Sequence, residues 1–243
     1  MKRALNSTVA ALVLGTGLAA GLAPAPAFAV TTTPTTTAAT KPCQPAALAA
    51  IKAHSAAAVA HRESTLDTLS TKLAARPAVM SGHRAVLTAL YASDKAGLDA
   101  VHAKVQGDST CKVAHADAQA IVADYRVYLL VVPQSGLTLA ADAGSSGASA
   151  LAGAEPALHK AIALMPAGPS KDQAQALYAD LADQVSAAQS NFAGVGDTVL
   201  ALTPSGYPGN AGTLAAQTAK VTAGGSALGK AVSDASQLAT LLS

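Results

Sequence analysis

The residues with the best claim to chemistry stand together near the middle of the chain: Tyr125, Arg126 and Tyr128, set against the apolar run Leu129 to Val132. An arginine beside an apolar face could capture an anion, because its planar fork matches a carboxylate or phosphate while the phenols frame the ligand. The competing reading carries more weight. Tyrosines at this spacing usually serve as core residues with a hydrated hydroxyl, and Arg126 can extend its stem to a carboxylate such as Asp142 on a neighbouring segment. Pro133 and Asp142 complete the candidate motif, as structural or interaction residues rather than catalytic ones.

No other grouping reaches that level. The six histidines are His54, His61, His83, His102, His115 and His159. His54 and His61 lie two helical turns apart, about 10 Å along an axis, so they cannot readily share an ion. No HxxxH, HExxH or Cys/His cluster occurs, and the histidines are expected on the surface, with no metal site and no cofactor. A hydrolase would need a serine, a histidine and an acid brought together by folding. Gly-x-Ser-x-Gly is missing from the sequence, Gly144-Ser145-Ser146-Gly147 reads as a flexible break, and the acids read as solvated charges on helix exteriors. No catalytic residue is assigned.

The elements that must hold these residues follow from composition. Of 243 residues 51% are apolar, but much of that is alanine; aromatics make up 3% and tryptophan is absent, so burial contributes modestly per residue. Alanine is also the strongest helix former, which points to an all-α fold. Net charge is +2, and removal of Lys2 and Arg3 would leave 14 basic against 14 acidic residues. With no basic cluster interleaved with aromatics, no nucleic-acid partner is expected.

Residues 1–29 read as a secretory signal peptide: Lys2 and Arg3 at the start, Ala10 to Leu22 as the apolar centre, and Ala27-Phe28-Ala29 as a small-x-small cleavage site. Glycines and prolines break up that short apolar run, so no transmembrane anchor is expected after cleavage. Residues 30–42, VTTTPTTTAATKP, cannot bury enough to order themselves and read as a flexible linker.

A first helix is expected from Pro45 to Arg76, with Leu48, Ile51, Ser55, Val59, Arg62, Leu66, Leu69 and Leu73 on one stripe. A second starts at Ser81 as N-cap and runs to Gly107 with Leu87, Leu90, Asp94, Leu98, Val101 and Val105. If the second returns antiparallel to the first, Cys43 and Cys111 lie at the same end, and a disulfide is expected between them. A third helix starts near Val113, is apolar on every side from Leu129 to Val132, where a short β-strand is the rival reading but no partner strand is evident, and should kink or break at Pro133. It resumes to Asp142, loosens at Gly144 to Gly147, and continues from Ala148 to Met165 with an interruption at Pro156.

The next helix opens with Ser170 and Gln173 as a capping box and runs to Leu202 through Leu177, Leu181, Val185, Ala188, Phe192, Val195 and Val199. After a turn at Pro204 to Gly209, the last helix spans Gly212 to Leu242. Its stripe is Leu214, Thr218, Val221, Leu228, Val232, Ala235 and Leu242, with Gly224 and Gly225 marking a close helix approach. The lengths imply an antiparallel long-helix bundle: two three-helix bundles in tandem, residues 43–136 and 137–243, sharing the central helix kinked at Pro133, or one elongated bundle.

Asp124-Tyr125-Arg126-Val127-Tyr128-Leu129-Leu130-Val131-Val132-Pro133-Gln134, followed by Ala140-Ala141-Asp142, resembles a motif of uncharacterised secreted helical proteins of actinobacteria. Its specific core is Tyr125 to Tyr128 with Pro133-Gln134. The resemblance extends loosely over Leu66 to Leu73, Gly97-Leu98 and Tyr207 to Asn210. It implies export and coiled helices and brings no activity; the cysteines are not carried over from it.

The functional expectation is a secreted, non-enzymatic helical-bundle protein that acts as a cell-envelope or extracellular binding or structural module, with a cell-wall or protein partner. The alternative is a carrier of a small apolar ligand in a cavity bordered by Tyr125, Tyr128 and Leu137. An extracellular hydrolase comes last.

Overall fold

The computed structural model describes residues 43–243; the segments read as signal peptide and linker lie outside the described residues. Among the described residues there is no strand, and five long helices pack antiparallel. In chain order the elements are α1 (Pro45–Ala74), α2 (Ser81–Gly107), α3 (Cys111–Ala123), a π turn (Val127–Val131), α4 (Val132–Ala163), α5 (Pro169–Phe192), the short α6 (Val195–Leu200), a 3-10 turn (Pro204–Gly206) and α7 (Asn210–Leu241).

The expected stripes form the seams. On α1, Ser55, Val59, Leu66, Leu69 and Leu73 are buried, and on α2 so are Leu87, Asp94, Leu98 and Val105. Of these, Val59, Leu66, Leu69, Leu73, Leu87 and Leu98 join Ile121, Val127, Val131 and Leu139 in a first apolar cluster. A second cluster gathers Leu137, Ala148, Leu151, Leu158, Leu181, Val185, Phe192, Leu228 and Leu238 from α4, α5 and α7. Helix α4 therefore stands between the halves and supplies both. Each fully buried Leu or Ile contributes about 1.5–3 kcal/mol relative to exposure, so stability comes from many such contacts rather than from aromatic anchors.

Where large side chains are scarce, helices approach through glycine. A Cβ on Gly144 of α4 would come within 2.3 Å of the Phe192 ring, and one on Gly224 of α7 within 2.9 Å, so the ring fills a slot between the two helices. The close approach expected at the Gly224-Gly225 pair thus belongs to Gly224; nothing lies within 4 Å of a Cβ at Gly225.

Cys43 and Cys111 form a disulfide with Cα atoms 5.5 Å apart, joining the start of α1 to the start of α3. Lys52 and Gln106 exchange side chain to backbone hydrogen bonds near that end, with Lys52 Nζ 2.7 Å from the Gln106 carbonyl. At the other end Arg84 donates to the carbonyls of Leu73 and Arg76, adding a second donor to acceptors at and just beyond the end of α1.

Several boundaries differ from expectation. The central helix breaks at Asp124–Arg126 rather than kinking at Pro133: α3 ends at Ala123, and Arg126 adopts a left-handed φ of 42°. Pro133 falls in the first turn of α4, directly after a π turn in which the Val132 N–H reaches back to the Val127 carbonyl. That wider register relieves the crowding a proline imposes on the carbonyl four residues earlier, so helix begins beside the proline rather than ending at it. Leu129 is 44% exposed and Tyr128 42%, so the run is not apolar-packed all round.

Helix α4 also runs unbroken through Gly144 to Gly147 and through Pro156, because packing on both neighbouring helices outweighs their local cost. Helix α5 begins after Gly168, so Ser170 is not its cap, and it stops at Phe192, where extended Ala193 and left-handed Gly194 turn the chain into α6. Ser81 opens α2 but makes no side-chain cap. On α7, Thr218 is exposed, and the polar residue turned into the seam is its neighbour Gln217.

Candidate functional site

The densest polar constellation forms where α2, α4 and α6 meet. His83, in the first turn of α2, is buried. Its Nδ1 lies 2.9 and 3.0 Å from the two carboxylate oxygens of Asp142, and its Nε2 lies 3.1 Å from Oδ1 of Asp197. Oδ2 of Asp142 also accepts the Met80 backbone N–H at 3.0 Å. The side chain of Asp142 is 3% exposed and that of Asp197 81%, so the ring connects a dry carboxylate to a wet one.

Local sequence accounts for each member only in part. A helix start leaves N–H groups unsatisfied and carries partial positive charge, which favours a carboxylate there. Ser81 does not supply the acceptor; Asp142 does, from another helix. The ring fits because residue 196 is glycine: a Cβ there would stand 2.3 Å from the imidazole Cε1. Burial by itself would lower the affinity of His83 for its proton, but the hydrogen bonds and charges of Asp142 and Asp197 outweigh it and raise the pKa. Both ring nitrogens face carboxylates, which leaves neither free to activate a hydroxyl in the manner of a Ser-His-Asp triad.

The residues singled out in the sequence disperse around this centre. Arg126 does not meet Asp142. Its Nε donates to the Pro204 carbonyl at 3.0 Å and its guanidinium lies 4.4 Å from the Tyr207 ring centroid, so it ties the left-handed break to the turn before α7. Tyr125 packs on Gly97 of α2, where a Cβ would come within 2.3 Å of its hydroxyl. Tyr128 points elsewhere, beneath Arg62 of α1 at 5.2 Å. The two phenols therefore do not frame Arg126. Leu137 belongs to the second apolar cluster and Tyr125 to the rim of the first, so Tyr125, Tyr128 and Leu137 face different surroundings.

Gln134, which sequence reasoning placed in the motif but gave no role, is buried and donates to the carbonyls of Val199 and Leu202 at 2.7 and 2.9 Å, pinning the far end of α6. Tyr91 donates to Ser135 at 2.7 Å, and Ser135 to the Val131 carbonyl at 2.6 Å. Three acids lie buried: Asp94 on its expected stripe, Asp142, and Asp234, which departs from the expectation of helix exteriors. Burial pushes Asp94 up to about 6, and its Oδ2 has no partner. Asp234 is likewise raised, chiefly by burial and then by Asp180.

Of the histidines, His83 contradicts the expectation of surface placement, while His54, His61, His115 and His159 are exposed. Among the described residues no three His, Cys, Asp or Glu side chains group as a metal site. Sequence reading missed His83 and Asp197; the one available signal was a histidine in the first turn of a helix that lacks an acid there. Comparison of the chain with family models, with curated proteins and with solved structures finds no match.

Proposed function

We propose that the chain is an exported, disulfide-stapled helical bundle that acts without catalysis, as a cell-envelope or extracellular binding or structural module. The observation that carries this reading is the Cys43–Cys111 disulfide, which uses both cysteines of the chain. Such bonds persist in oxidising compartments and are rare where glutathione keeps thiols reduced. The leader-like residues 1–29 and the resemblance of Tyr125 to Gln134 to secreted actinobacterial helical proteins support the same reading. Among the described residues no helix is long and apolar enough to cross a membrane. The fold supports a surface-acting role: the buried His83, Gln134, Ser135, Asp142 and Asn210 bond to other side chains or to backbone and tie the helices to one another.

The test is to fractionate cells that express the full chain into medium, wall, membrane and cytosol, sequence the N-terminus of the product and titrate its thiols. A product that begins at Val30, lies outside the cytosol and has no titratable thiol is expected. Full-length, reduced chain confined to the cytosol would overturn the reading.

A further inference from the structure

We propose that His83 is a proton-controlled latch: as imidazolium it ties α2 to both α4 and α6, and on losing a proton it releases the first turn of α6 while staying bound to α4. This device is separate from the export reading and holds whether or not that reading survives.

The number of N–H donors on the ring sets its protonation state. Nδ1 faces Asp142 at 2.9 and 3.0 Å and Nε2 faces Asp197 at 3.1 Å, so both nitrogens must donate for both contacts to be attractive. Only imidazolium does that; the neutral ring has one N–H and one lone pair. The remaining proton stays on Nδ1, because the Asp142 side chain is 3% exposed and a dry carboxylate robbed of a donor is costly. The Asp197 side chain is 81% exposed and can turn into water at small cost. Left against the Nε2 lone pair, its carboxylate is repelled and swings away.

The element that carries Asp197 is short and held from its inner face, so what the ring secures is the outer face of its first turn, where Asp197 sits. Helix α6 has six residues and follows Gly194, whose φ of 67° makes a sharp elbow after α5. Its far end is held by Gln134, and Val195 and Val199 are buried in the second apolar cluster. Among the described residues the only side-chain hydrogen bond from α6 to α2 is the ring contact, which fits because Gly196 leaves room for it.

Asp142 from α4 and Asp197 from α6 are the charged groups that bear on the ring, and Arg84, next on α2, is turned to the carbonyls of Leu73 and Arg76. The two acids favour the closed form, which therefore persists up to and beyond the ordinary histidine range of about 6.5.

The experiment is hydrogen exchange on the disulfide-bonded chain from pH 5 to 9, with the ring resonances of His83 followed in the same samples. The reporters are the amides of Thr198 and Ala201, which donate to the carbonyls of Gly194 and Asp197. After correction for intrinsic exchange, their protection is expected to fall about tenfold or more, with the midpoint of the His83 titration. Asp197→Asn offers an N–H to the neutral ring, so protection should stay high and flat; Asp197→Ala should make it low and flat. Protection that ignores the His83 midpoint in the unsubstituted chain overturns the latch, and that reading does not depend on either variant folding.

Discussion

Asp142 accepts the backbone N–H of Met80 at 3.0 Å across a separation of 62 residues, so the first turn of α2 is capped by a carboxylate that belongs to α4. The same carboxylate holds His83, which makes the helix start, the buried base and the central helix one unit. Loss of that unit should be felt as lost stability.

Asp142→Ala removes a cap and strands a buried imidazolium. Breaking a buried charge pair costs about 3–5 kcal/mol. Asp142→Asn keeps one acceptor and should lose less. Urea unfolding followed by circular dichroism at pH 6 checks both, and an alanine variant as stable as the parent would contradict the arrangement.

Asp94 and His83 are among the groups that make stability fall as pH rises. Asp94 is raised to about 6 in the folded chain, above its ordinary value of 3.8, so the folded state favours its protonated form. Its penalty is absent below about pH 4 and complete above about pH 6, worth about 1–3 kcal/mol. His83 is also raised, and its contribution, full below about 6.5, disappears as pH passes through its folded value. Asp94→Asn should therefore stabilise above pH 6 and not below pH 4, and His83→Gln should flatten only the upper part of a melting-temperature profile.

The glycines of α7 should respond in opposite directions. Gly224→Ala drives a methyl into the Phe192 ring and should cost about 1–3 kcal/mol. Gly225→Ala meets nothing within 4 Å and should stabilise the helix by about 0.5–1 kcal/mol. Paired thermal melts decide the matter, since a shared sign would place the close contact elsewhere.

Reduction of Cys43–Cys111, or replacement of both by serine, should lower stability by about 4 kcal/mol, because the bond closes a loop of 68 residues in the unfolded chain. The helical signal should survive at low temperature, since both apolar clusters are built from other residues. Guanidinium unfolding with and without reductant measures the difference.

The long helices and most of their buried stripes were legible because helix formation and amphipathic spacing are local properties. Leu181 and Val185 are buried as their spacing required, and the cysteine pair followed once α1 and α2 were taken to run antiparallel. The breaks were harder. Proline was expected to kink or break the helix at residue 133 and glycine to loosen it at 144–147; Pro133 instead sits in the first turn of α4 just after the π turn, and the glycines sit inside continuous helix. The actual elbows are at Arg126 and Gly194, and packing chose them.

Of the polar centre, Asp142 was singled out in the sequence but with Arg126 as its partner, and His83 and Asp197 were not legible. His83 and Asp142 are 59 residues apart and His83 and Asp197 are 114 apart, and no spacing rule relates positions on three separate helices. The amino-acid order by itself determined that helices form, which faces they hide and which end the cysteines share, since each follows from neighbours within a few turns. Which carboxylate caps α2, which base sits between two acids and where Arg126 reaches were decided only when the helices came together. Those contacts depend on the angle and register at which whole faces pack, and no single segment carries that information.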